Sequence, residues 1–130
     1  MGMDVSDLID FDRYPIHAGG AAREAIVNKV RADLAHDGCA VIRSFLRPRA
    51  IELLTDEADR VAELGHRSFN KTNVYFTADD PSLPETDPRR QFFERSNTFI
   101  PADSFARDGV LRNIHDALGF DRFIQDCLQE

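Results

Sequence analysis

Only two cysteines occur in the 130 residues, Cys39 and Cys127, and they stand far apart, outside any CxxC or Cys/His cluster. A structural zinc site finds no support on that ground, and both thiols are expected to be small buried hydrophobes. Long apolar runs are missing as well, so no segment reads as a membrane span. The acidic N-terminus MGMDVSDLID lacks the basic-then-apolar order of a secretory signal, which leaves the cytoplasm as the expected location. There is no basic block either. The 16 Lys and Arg against 23 Asp and Glu give a formal net charge of -7, spread along the chain, and nothing is concentrated enough to neutralise a nucleic-acid backbone. Gly2 and Ser6 match a myristoylation signal only in outline, with nothing basic after them, and lipidation is not expected. No internal repeat or low-complexity segment interrupts the chain.

What is present suits a folded chain. With 42% hydrophobic and 30% charged residues the mixture is that of a globular protein rather than a disordered one, and the length suits a single core. Residues 1–20, with Pro15 and Gly19-Gly20 and no sustained periodicity, read as an arm over the surface pinned by Ile9, Phe11 and Ile16. Residues 21–130 then form the body. Over 21–36 the apolar positions Ile26, Val30 and Leu34 recur every fourth residue, with Val27 beside them, which predicts an amphipathic helix closed by Gly38 in a left-handed conformation. Pro48 opens a second helix carrying Ile51, Leu54, Ala58, Val61 and Leu64, up to Gly65.

Between and beyond these, the apolar, partly β-branched residues 39–45 (CAVIRSF) predict a strand buried on at least one face, 73–77 (NVYFT) a second, and 96–100 (SNTFI) a third. The segment ADDPSLPETDPRRQ carries three prolines in a loop about a dozen residues long, a length more often found in lids and binding segments. Asp108 or Gly109 opens a helix with Leu111, Ile114 and Leu118, and after Gly119 a last short helix presents Phe123, Cys127 and Leu128. The class is therefore α+β, mostly helical, with two or three short strands that supply too few partners for a complete sheet.

Chemistry-bearing motifs are scarce. A facial iron site draws its first ligands from H-x-D or H-x-E on extended chain, because side chains two apart share a face. His17, His36, His66 and His115 are followed two positions later by Gly, Gly, Ser and Ala, so the motif is absent. The dipeptides His36-Asp37 and His115-Asp116 offer neighbours that diverge on a helix. His36 and His66 are better read as helix-end imidazoles offsetting the dipole, and His115 as lying at the edge of an apolar face. Neither a G-x-S-x-G elbow nor a glycine-rich phosphate loop occurs. What remains is polar and aromatic, FNKTNVYF and RRQFFERSNTF, in which Asn73, Tyr75 and Arg95 are candidates to line a substrate pocket. Arginine suits a carboxylate through its planar fork. Against this, Arg89, Arg90 and Arg95 could each be solvated or paired with nearby Asp and Glu.

The segment DGCAVIRSFLRPRAIELLTDEADRV resembles the N-terminal signature of iron(II)- and 2-oxoglutarate-dependent oxygenases of the phytanoyl-CoA dioxygenase-like kind, in which an acidic residue and glycine precede a strand and a long amphipathic helix. The continuation NVYFTADDPSLPETDPRRQFFERSNTFIPADSF is more similar to the branch with carrier-free amino-acid halogenases and related hydroxylases, and the resemblance covers roughly residues 34–124. It implies a double-stranded β-helix (jelly-roll) core C-terminal to such a segment, bearing H-x-D or H-x-G, a distal histidine and an arginine for 2-oxoglutarate. The chain ends at Glu130 without these residues, so no iron ligand transfers onto it. The expectation is an N-terminal part of an oxygenase, inactive alone, with no cofactor of its own. Fe(II) and 2-oxoglutarate belong to the complete parent, whose missing C-terminal core or a complementing chain would be its partner, with self-association through exposed apolar surface. The alternative is a stand-alone, non-catalytic interaction module.

Overall fold

The computed structural model describes residues 3–130, so the acylation candidate Gly2 lies outside the described residues. In chain order the elements are α1 (Ala21–Asp37), α2 (Pro48–Val61), β1 (His66–Thr72), β2 (Phe93–Phe99), α3 (Val110–His115) and α4 (Phe120–Leu128), with short 3-10 turns between some of them. Helices and an antiparallel β1-β2 sheet make the chain α+β, as the sequence predicts. Two compact units result: residues up to Arg60 together with Phe105–Glu130, and Val61–Ser104.

The first unit is helical. Along α1 the four-residue spacing buries Val27 and Val30, with Ile26 and Leu34 at the margin. Gly38 closes the helix at φ 73°, a conformation costly for residues with a Cβ, and its N–H donates to the Leu34 carbonyl at 3.0 Å. Helix α4 packs on α1 through Phe123 and Cys127. Two arginines fasten the pair: Arg23 meets the Asp126 carboxylate at 2.8 Å, and Arg31 Nε donates to the Asp126 carbonyl at 2.7 Å. Burial of Cys127 pushes its thiol above the usual range.

The arm expected over residues 1–20 does more than lie on the surface where it is described, from residue 3 onward. Leu8 and Ile9 are fully enclosed with Ala50, Val110, Ile114 and Ala117, while Ile16 joins Val27, Val30, Phe123 and Cys127. Phe11, Phe45 and Phe120 pack against both groups and so join them. Each fully enclosed Leu or Ile is worth about 1.5–3 kcal/mol, so this N-terminal segment is part of the core.

Two of the three expected strands are corrected. Residues 39–45 are not a strand: they run irregularly, turn at Arg43-Ser44, and leave Cys39 and Val41 exposed. A strand is defined by its neighbour's hydrogen bonds, and here only a single bridge forms, Ile9 with Leu46, flanked by Asp10 N–H to Phe45 O at 2.9 Å and Arg47 N–H to Leu8 O at 2.8 Å. Residues 73–77 are a turn, and the strand precedes them as β1, whose polar sequence HRSFNKT carries little apolar signal. SNTFI falls mostly within β2, which begins earlier, at Phe93. Leu118 lies beyond α3 and is exposed.

Helix α2 buries only part of the predicted stripe: Leu54 and Val61 face inward, while Ala58 is exposed. Ile51 and Leu64 are 55% and 59% exposed, while Ala50, Leu53, Leu54 and Glu57 turn inward. Glu57 is 5% exposed and its carboxylate accepts the first amides of α3, Val110 N–H at 2.9 Å and Leu111 N–H at 3.1 Å. Gly109, the residue before α3, has no side chain to cap the helix, and a Cβ there would stand 2.4 Å from Glu57 Oε2. The carboxylate thus satisfies donors that a helix start otherwise leaves unpaired, at the end of the dipole that favours negative charge.

Glu57→Ala is expected to cost about 1–3 kcal/mol, the penalty of stranding buried amides, read as a lower urea midpoint at unchanged slope. Gly109→Ala should destabilise in the same direction, while Glu52→Ala on the exposed side of α2 should stay within about 0.5 kcal/mol. In the folded chain a thiol reagent should label exposed Cys39 and spare buried Cys127, with both labelled in denaturant.

Candidate functional site

The chemistry-bearing candidates gather in the second unit, after β1. Asn73 is fully buried and every polar atom of its side chain is engaged. Its Oδ1 accepts the Tyr75 N–H at 3.0 Å and the Thr77 N–H at 3.1 Å. Its Nδ2 donates to Thr77 Oγ1 at 2.9 Å, Thr77 O at 3.2 Å and Arg89 O at 2.6 Å. An asparagine has two acceptor and two donor directions, and all are used in holding the 73–77 turn to the far side of the proline-rich loop. Asn73 therefore positions the site and has nothing left for a substrate.

Tyr75 and Phe76, fixed by that turn, face outward. Phe76 adopts φ 56°, the left-handed region that bulky residues resist, and the residue is 73% exposed. The guanidinium of Arg95, from β2, stands over this ring at 5.9 Å from its centroid, a cation–π pair worth about 0.5–1 kcal/mol at an exposed site. Among the described residues Arg95 meets no carboxylate, so its fork is free to bind one.

The neighbouring arginines are not free. Arg89 grips Asp87 through Nε at 2.9 Å and Nη2 at 2.8 Å, and Arg90 grips Asp79 at 2.9 and 3.3 Å while donating to the Leu83 carbonyl at 3.1 Å. The side-chain hydrogen bond from Arg89, aided by the Arg89 backbone N–H, lowers the Asp87 carboxyl to about 2. Of the three predicted candidates, the structure makes Asn73 a buried brace and brings Arg95 to Phe76, a partner the sequence pattern did not single out. Asn four residues before Thr, and Asp-Pro-Arg with aspartate as a cap, are turn signals that could have pointed to Thr77 and Asp87.

The histidines are scattered and exposed. His36 Nδ1 lies 2.6 Å from Asp37 Oδ1 and His115 Nδ1 lies 2.8 Å from Asp116 Oδ1, so each dipeptide closes on itself at a helix end. His66 begins β1 opposite Phe99, and the His17 ring rests 4.3 Å from that of Phe11. Among the described residues no three His, Cys, Asp or Glu are grouped so as to hold a metal ion. The donors here do not fit the iron that the resemblance implies. A depression of about 820 Å³ in the first unit presents Arg47, but that guanidinium is committed to Ser6 O at 2.9 Å and to Asp12 at 3.3 Å. No helix among the described residues is long and apolar enough to cross a membrane.

Asn73→Ala should release the loop, seen as faster hydrogen exchange at the Tyr75 and Thr77 amides, while the helical unit keeps its protection. The Asp87–Arg89 pair stabilises its turn fully above the ordinary carboxyl value of 3.8 and is lost as pH falls through about 2. An NMR titration of the Asp87 carboxyl carbon should place its midpoint there.

Comparison with known proteins returns no matching family model, no matching curated protein and no matching solved structure.

Proposed function

We propose that the chain is the N-terminal part of a non-heme iron(II)- and 2-oxoglutarate-dependent oxygenase, a hydroxylase or halogenase of a free amino acid or similar small polar substrate, and that it is inactive alone. The observation that carries this reading is the bare β1-β2 pair, with all seven residues of β2 exposed. Two strands by themselves are marginally stable in water, and such a pair suits a sheet continued by further strands, here those of a jelly-roll core. The helical unit would buttress that core. Arg95 and Phe76 would lie on the substrate side, where a guanidinium held over an aromatic ring recognises a carboxylate. Iron and 2-oxoglutarate would be bound by residues of that core, because no donors among the described residues group to hold a metal ion.

The exposed strand β2 also favours a second reading, a stand-alone module that binds a partner chain by strand addition. Reading the coding sequence past codon 130 separates the two. A continuation with H-x-D or H-x-G and a later histidine supports the oxygenase, and an immediate stop codon with no complementing gene nearby supports the module. The 130-residue chain given Fe(II), 2-oxoglutarate and O2 is expected to form no succinate above background. Turnover abolished by His36→Ala or His115→Ala would overturn the proposal.

A further inference from the structure

We infer that β2 is a self-pairing edge through which two copies of this chain join into one four-stranded antiparallel sheet, in the order β1-β2-β2-β1. This does not depend on the oxygenase reading, and it leaves the outer edge of β1 as the one from which core strands would continue the sheet.

Among the described residues β2 pairs only with β1, leaving its other edge of backbone donors and acceptors without a strand. All seven of its residues are exposed, whereas β1 ends on buried Thr72. Such an edge invites another strand unless charge, proline or a bulge forbids it, and β2, FERSNTF, contains no proline.

Charge and shape choose the occupant. An antiparallel two-fold pair centred on Ser96 sets Phe93 against Phe99 of the second copy, Glu94 against Thr98, Arg95 against Asn97 and Ser96 against itself. Like charges never face each other, and two phenylalanine pairs form from rings now 48% and 61% exposed. The alternatives are worse. Centring on Arg95 opposes two arginines, and centring on Asn97 loses both phenylalanine pairs. Self-pairing of β1, HRSFNKT, about its own centre sets Arg67 against Lys71 twice. The β2 pair is isologous and closes as a dimer, and it raises the sheet from two strands to four, within the range that is independently stable.

The decisive position is Thr98, because it faces Arg67 of its own hairpin and Glu94 of the second copy. Thr98→Lys should tighten the dimer and Thr98→Glu should weaken it, each on the order of tenfold in dissociation constant. The effect on the hairpin itself has the opposite sign, since the glutamate variant would attract Arg67 and the lysine variant would repel it, so damage to folding cannot imitate the result. In a Cys39→Ser background, Ser96→Cys should cross-link into a covalent dimer under mild oxidation, because directly opposed antiparallel residues lie at disulfide distance. Phe69→Cys, at the centre of β1, should not. Sedimentation of the full chain at high micromolar concentration reads the association. A clean monomer overturns the inference, as does a dimer indifferent to Thr98, an open-ended polymer, or cross-linking through Phe69→Cys in place of Ser96→Cys.

Discussion

The first unit depends on one buried carboxylate. Its chain is discontinuous, residues up to Arg60 and then Phe105–Glu130, so some contact must hold the returning segment to the first. Glu57 supplies it by accepting the two leading amides of α3, more than fifty positions away in sequence. A six-residue helix has few hydrogen bonds of its own and is far below the length at which a helix is stable in isolation. Seating its amides on a carboxylate lets Val110 and Ile114 reach Leu8, Ile9 and Ala50. Gly109 belongs to the same device, because only a residue without a Cβ leaves room for the carboxylate.

A second polar brace works in the same way. Asn73 holds the 73–77 turn and the Arg89 carbonyl with a single side chain, and outside it Asp87 and Asp79 are each clamped by an arginine. The long loop is thereby ordered by local hydrogen bonds rather than by an apolar core, which a segment this polar could not form. That order is what allows Phe76 to keep a left-handed backbone and present its ring under Arg95. A strained, exposed aromatic beside an uncommitted cation is the feature of this unit most suited to a ligand. The exposed strand β2 is the feature most suited to another chain.

The helices were legible from the chain itself. Period-four apolar spacing, Pro48 at a helix start, and Gly38, Gly109 and Gly119 at helix ends act within a few residues, so α1, α2, α3 and α4 fall close to where these signals place them. The same is true of the loop with its three prolines and of buried Cys127. The α+β class also follows from local sequence.

Tertiary structure decided what needs a partner distant in sequence. Apolar residues 39–45 form no strand because no neighbour offers them a ladder, and polar HRSFNKT forms one because β2 does. Cys39 is exposed for the same reason. The inward face of α2 keeps Leu54 and Val61 of the predicted stripe but leaves Ile51 outside and takes in Glu57, because amides fifty residues away need an acceptor. Asn73 braces the loop because Arg89 O lies within its reach. Propensity and spacing are properties of a few neighbouring residues, whereas hydrogen-bond partners across the fold exist only once the chain has brought them together.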